Sequence, residues 1–171
     1  MSQALRPLYA MAKFSLEEQA RIMALFRASR IRPPDLLHMT LLGFVDLARP
    51  PDGFSLSALL ATLNGFEANP FDVVFDTIVE RKAVTLRSSS PLTAARAFQR
   101  KLVDFLKRRG FPYFGEAPVP HVTINYHGDG RGDQRIDPIA FRIEEVLLIE
   151  SITGKTQHEP RGRLPLNRLL F

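Results

Sequence analysis

The chain contains no cysteine, which excludes a disulfide framework, a thiol nucleophile and cysteine-ligated zinc. It also lacks a long apolar run. No segment approaches the roughly 18 residues of a membrane span, and Arg6 and Lys13 interrupt Met1 to Phe14 before a signal-peptide core can form. A cytoplasmic protein with no membrane partner is expected. Several catalytic signatures are missing too: GxGxxG, GxxxxGK[ST] and GxSxG are all absent, so dinucleotide binding, P-loop chemistry and a hydrolase elbow lack support. The acidic residues are dispersed, with no HExxH and no aspartate cluster for two metals. We therefore expect no cofactor and no metal.

What is present is a globular composition, 171 residues with 45% hydrophobic and 24% charged, enough for one substantial core. One domain spanning 1–171 and a monomer with no obligate protein partner are expected. The formal net charge of +5 favours polyanionic or phosphorylated partners. Lys107-Arg108-Arg109 closes a predicted helix, where cations complement the dipole. Arg161, Arg163 and Arg168, with Arg131 and Arg135 in a Gly/Asp-rich loop, are candidates for a phosphate-binding rim.

The chain has four histidines, and two of them share a tripeptide: His38-Met39-Thr40 and His121-Val122-Thr123. Each copy reads as a strand in which residues two apart share a face. Leu37, Met39 and Leu41 then enter a core while His38 and Thr40 face a cleft. In the second copy Val122, Ile124 and Tyr126 take one face and His121, Thr123 and Asn125 the other.

Around these motifs the pattern predicts a strand at 5–14 and a helix opened by Ser15 and Glu18 in capping-box spacing and running to Ser29. After Arg32-Pro33-Pro34 comes the first motif strand, to Phe44. A helix from Ser55 to Leu63 and strands at 71–80 and 83–88 follow, with Arg81-Lys82 as their turn. Ser90-Pro91 is expected to open the longest helix and Gly110 to close it, with Leu92, Ala95, Phe98, Leu102, Phe105 and Leu106 as its buried stripe. Strands at 139–150 and 163–170 complete the sheet system. A weak repeat emerges, strand then helix then motif strand, at 5–44 and again at 83–127. It suggests pseudo-symmetric histidines that meet only if two lobes pack face to face, with the site in the cleft between them.

Two imidazoles in matching contexts suit an acid–base site, since imidazole can donate or accept a proton near neutral pH. His127 shares the parity of His121 but lies too far along the strand to share an ion with it. His158, in the polar stretch Thr156-Gln157-His158-Glu159-Pro160, reads as solvent-exposed. Gly110-Phe111-Pro112-Tyr113-Phe114-Gly115 carries three aromatics before the second motif. Tyr113 is a candidate for stacking on a base, and Tyr9 on the first strand is another.

On His38-Met39-Thr40-Leu41 and Pro120-His121-Val122-Thr123-Ile124, together with chain size, element order and motif separation, the sequence resembles the 2H phosphoesterase superfamily. Within it the likeness is to bacterial RNA 2′,3′-cyclic phosphodiesterases, also called 2′-5′ RNA ligase-like proteins. The resemblance implies an α+β fold of two related lobes, mainly antiparallel strands with outer helices, whose central groove carries both motifs without a metal. It implies His38 as proton donor, His121 as proton acceptor, and Thr40 and Thr123 as hydrogen-bond donors to non-bridging phosphate oxygens. RNA ends or cyclic nucleotides are the implied partners, opened to 2′-phosphates, with ligation as the reverse reaction. Two other readings stay open: an RNA-binding module without turnover, and a hydrolase of a small cyclic phosphate such as ADP-ribose 1″,2″-cyclic phosphate.

Overall fold

Strand alternation fixes which way each half of the molecule faces. In β1 (Pro7–Lys13) Leu8, Ala10 and Ala12 are fully buried, and in β2 (His38–Asp46) Met39 and Leu41 are fully buried. The same parity governs β5 (Val122–Asn125), where Val122 and Ile124 enter the core. The computed structural model describes residues 4–26, 32–115, 117–155 and 157–167.

The remaining strands are β3 (Phe71–Glu80), β4 (Val84–Arg87), β6 (Gly132–Ile143), β7 (Glu145–Ile152) and β8 (Gln157–Pro165). All eight form one sheet in the order β6-β3-β4-β5-β2-β1-β7-β8, with antiparallel neighbours throughout. The architecture is α+β, and the repeat is visible in it. β1, helix α1 (Leu16–Ala24) and β2 form one strand–helix–strand unit, and β4, α3 (Thr93–Arg108) and β5 form the other. The units do not pack face to face as the sequence suggested. They meet side by side at β2 and β5, because main-chain pairing joins the two motif strands directly.

Helix α1 starts as its capping box requires: the Ser15 hydroxyl accepts from Glu18 N (3.2 Å), and Ser15 N donates to Glu18 Oε2 (2.8 Å). The helix ends at Ala24, short of the expected Ser29, which lies outside the described residues. Helix α2 (Leu56–Leu63) is capped by Ser55. Helix α3 begins at Thr93 rather than beside Ser90-Pro91. The serine stretch has another partner, since Ser89 donates from its backbone N and its hydroxyl to Asp76, and that anchor holds it in a turn. Gly110 closes α3 with φ of +68°.

The single strand expected at 139–150 is two strands. Ile139, Phe141 and Ile143 are buried at odd positions, and Val146 and Leu148 at even ones. The phase changes at Glu144, where the chain leaves one edge of the sheet and enters its other half. The last strand also starts earlier than expected, at Gln157, after a turn in which Gly154 takes φ of +83°.

The carboxyl group of Glu150 on β7 is fully buried. Arg6 pairs with one of its oxygens, and Arg161 Nε donates to the other at 2.7 Å. Both arginines keep about a third or more of their side chains exposed, so water compensates them when the pair is broken, whereas the carboxylate has no such recourse. Removing both cations with Arg6→Met/Arg161→Met therefore costs about 3–5 kcal/mol in urea unfolding, and Glu150→Gln costs clearly less. Equal losses would contradict this asymmetry.

Candidate active site

The two motifs are cross-strand neighbours. Met39 pairs with Val122, and carrying that antiparallel register one residue either way sets His38 opposite Thr123 and Thr40 opposite His121. Directly opposed Cα atoms lie about 4.5–5.5 Å apart, so two imidazoles and two hydroxyls converge on one face of the sheet. Met39 and Val122, both fully buried, point away to the core side.

Each ring is oriented in the same way. His38 Nδ1 lies 2.7 Å from the carbonyl of Leu36, and His121 Nδ1 lies 2.8 Å from the carbonyl of Val119. A carbonyl only accepts, so each Nδ1 carries the proton and each Nε2 is left for chemistry. The 3₁₀ turn Pro34–Leu36 presents the first carbonyl. The second comes from a proline-flanked segment, Pro118-Val119-Pro120, whose restricted backbone dihedrals stiffen it.

These four side chains line a groove of about 700 Å³ together with Tyr9, Met11, Arg32, Tyr126 and His158. Lys13 stands beside His38 across the β1–β2 ladder. Its ammonium donates to the Asp35 carbonyl and lies 3.1 Å from His158 Nδ1. Because an ammonium only donates, His158 Nδ1 accepts and the His158 proton sits on Nε2. The His158 ring meets His38 edge to face, with centroids 5.0 Å apart. This corrects the sequence expectation of an exposed His158. The residue belongs to β8, opposite Ser151, and is half-buried in the groove; the polar edge strand has no apolar alternation to reveal it.

Arg32 enters the groove from the segment before β2. Its backbone N donates to Ile124 O at 3.0 Å, and its guanidinium stacks 4.7 Å above the Tyr126 ring. Tyr126 is 60% exposed rather than on the core face, because β5 ends at Asn125 and strand parity ends with it. Burial pushes the His38 pKa down to about 3, opposed by the Leu36 carbonyl and reinforced by His158, Arg32 and Lys13. His158 is lowered to about 4, by burial first and then by Lys13 and Arg32. Burial likewise lowers Lys13 to about 8, and raises the Tyr9 hydroxyl above its ordinary value.

Of the two tyrosine candidates, Tyr9 lines the groove and Tyr113 does not. Tyr113 packs edge to face on Phe54 and Phe111, and its hydroxyl donates to the Asp52 carbonyl at 3.0 Å, so the aromatic run is a packing cluster. His127 is exposed and lies outside the groove lining. The anticipated arginine rim is also elsewhere. Arg131 pairs with Asp129, Arg135 with Asp76, Arg161 with Glu150 and Glu159, and Arg163 with Glu145; Arg168 lies outside the described residues. Neither Arg32 nor Lys13 was singled out from sequence, since a lone cation beside Pro-Pro or at a strand end carries no signal.

Gln99, buried within the expected apolar stripe of α3, was missed as well. Its Nε2 donates to Leu41 O (2.9 Å) and to Pro118 O (2.8 Å), joining the strand of the first motif to the approach of the second. Arg96 supports it, donating to Gln99 Oε1 and to the Pro118 carbonyl.

Structures of the same shape are known. Escherichia coli LigT complexed with phosphate superposes with a TM-score of 0.69 at 18% identity, covering 97% of this chain and 100% of LigT. The fold is that of LigT. The same protein complexed with 3′-AMP gives 0.68 at 20% identity over 96% and 99% of the two chains. TT0787 of Thermus thermophilus gives 0.63 at 16% identity over 94% and 97%. No protein-family model matches the chain, and no curated protein matches it.

Two outcomes follow from the site. Gln99→Leu leaves the Leu41 carbonyl without its side-chain donor and the Pro118 carbonyl with Arg96 alone, and costs about 1–3 kcal/mol in denaturant unfolding; an unchanged midpoint would sink its bracing role. The depressed His38 and His158 mean that the unfolded chain binds more protons than the native one between their native pKa values and about 6.5. Stability is therefore full above that window and declines as pH falls through it. In thermal melts between about pH 7 and pH 5, His38→Gln/His158→Gln flattens the decline; curves parallel to the parent would refute the assignment.

Proposed function

We propose that the chain is a 2H phosphoesterase that opens 2′,3′-cyclic phosphates of RNA ends or nucleotides to 2′-phosphates without a metal. The observation that carries this reading is the pairing of His38-Met39-Thr40 with His121-Val122-Thr123, which turns two Nε2 atoms and two threonine hydroxyls toward one groove. The fold of LigT, whose structures hold phosphate and 3′-AMP, supports it.

In the proposed reaction the 2′,3′-cyclic phosphate sits between the rings. His121 Nε2 takes a proton from water as the water oxygen forms its bond to phosphorus. The bond from phosphorus to O3′ breaks, and His38, protonated on Nε2, gives its proton to O3′. The 2′ ester remains. Water and the leaving oxygen lie on opposite sides of phosphorus, so an acid and a base across a groove are the arrangement that in-line displacement needs. The Thr40 and Thr123 hydroxyls donate to the non-bridging oxygens, where charge builds in the transition state. Burial and neighbouring cations disfavour the charged form of His38, and a phosphate anion beside it favours that form. Hydrolysis prevails over ligation because water is the abundant nucleophile and the chain carries no nucleotide-activation motif.

Each positioned imidazole contributes about 10²–10⁴-fold. Nucleoside 2′,3′-cyclic monophosphates incubated with excess EDTA are expected to give 2′-phosphates, with turnover reduced by that factor in His38→Ala and in His121→Ala. Loss of turnover in EDTA, or full activity in either variant, would refute the mechanism.

A further inference from the structure

The groove is electrically lopsided in a way the acid–base pair does not explain. Lys13, Arg32 and His158 gather on the His38 side, and every group they offer is a donor. Arg32 Nε and Nη1 are buried with no hydrogen-bond partner among the described residues, although each N–H left unsatisfied away from water costs free energy. Lys13 uses two of its three N–H groups, on Asp35 O and His158 Nδ1. His158, held by Lys13 as an acceptor at Nδ1, presents N–H at Nε2. The carboxylate that acts on Lys13 and His158 is Asp35, whose residue is exposed and whose carbonyl oxygen rather than side chain takes the lysine hydrogen bond.

A cluster of donors that includes buried guanidinium nitrogens without a hydrogen-bond partner among the described residues does not suit a cation, nor a neutral group. It suits an anion with several acceptor oxygens. The reacting phosphate already has Thr40, Thr123 and the two motif imidazoles. We propose that Arg32, Lys13 and His158 form a second phosphate subsite, which binds a phosphate group of the same substrate other than the one being cleaved. Resting on the cyclic-phosphodiesterase reading, the proposal narrows the substrate class to nucleotides that carry a further phosphate, and makes a nucleoside cyclic monophosphate an incomplete ligand. It also gives the subsite a part in the chemistry. Burial is the main cause of the low His38 proton affinity, and an anion there offsets the three neighbouring groups that add to it, favouring the protonated ring that donates.

Calorimetry with adenosine 2′-monophosphate and adenosine 2′,5′-bisphosphate tests the subsite by binding alone. Kinetics on adenosine 2′,3′-cyclic phosphate with and without a 5′-phosphate test it in turnover. The parent is expected to favour the doubly phosphorylated member of each pair by about tenfold, as one set of charge-assisted hydrogen bonds supplies. Arg32→Gln and His158→Gln are each expected to shrink that ratio to under about threefold, and Arg32→Lys to restore part of it. Equal affinity and equal kcat/KM for both members in the parent would overturn the subsite while leaving the phosphodiesterase reading intact. A tenfold binding preference that depends on Arg32, in a protein that turns over neither cyclic phosphate, would uphold the subsite and overturn the phosphodiesterase reading.

Discussion

The junction between β2 and β5 is the constraint on which the rest of the structure depends. It is the seam of the eight-stranded sheet, with four strands on either side, and it is where the two His-x-Thr segments lie side by side. Because a strand repeats every two residues, one register settles everything at once. Met39 and Val122 are driven to the core, and His38, Thr40, His121 and Thr123 are driven to the groove. A slip by one residue would bury two imidazoles and expose two apolar chains. The core therefore specifies the site. Burial of Leu37, Met39, Leu41, Val122 and Ile124 enforces the arrangement of polar groups on the opposite face.

Around the seam, bonds to main-chain carbonyls do the aiming. Leu36 and Val119 each hold an imidazole at Nδ1, and Gln99 ties Leu41 to Pro118 from behind the sheet. The result is nearly symmetric in hydrogen bonding and strongly asymmetric in charge. Lys13, Arg32 and His158 crowd the first histidine, and this difference gives an otherwise two-fold site a direction. An anion bound there would do two things: it would satisfy Arg32 nitrogens that have no hydrogen-bond partner among the described residues, and it would change the proton affinity of the ring beside it.

Much of this was legible in the sequence because strand periodicity is strict. The motif pair, the core face of β2, the capping box at Ser15 and the strand–helix–strand repeat all follow from local spacing. The side-by-side meeting of the halves was not legible, since main-chain pairing between distant strands leaves no mark on residue identity. The break at Glu144 was legible in principle, as burial parity changes there from odd to even, but a continuous apolar run hides a phase change. His158 was misjudged because an edge strand facing solvent reads like a loop. Arg32 and Lys13 acquire meaning only from what surrounds them in space, and Tyr113 packs outside the groove lining because Phe54, distant in sequence, completes an aromatic cluster around it.

The central claim is that both motif histidines address one phosphorus through Nε2. A crystal structure of the protein with uridine vanadate, which imitates the five-coordinate state of phosphorus, tests it most directly. The account predicts vanadium between His38 Nε2 and His121 Nε2, with equatorial oxygens accepting hydrogen bonds from Thr40 and Thr123. Vanadate held by only one of the two histidines, or bound outside the groove, would contradict it.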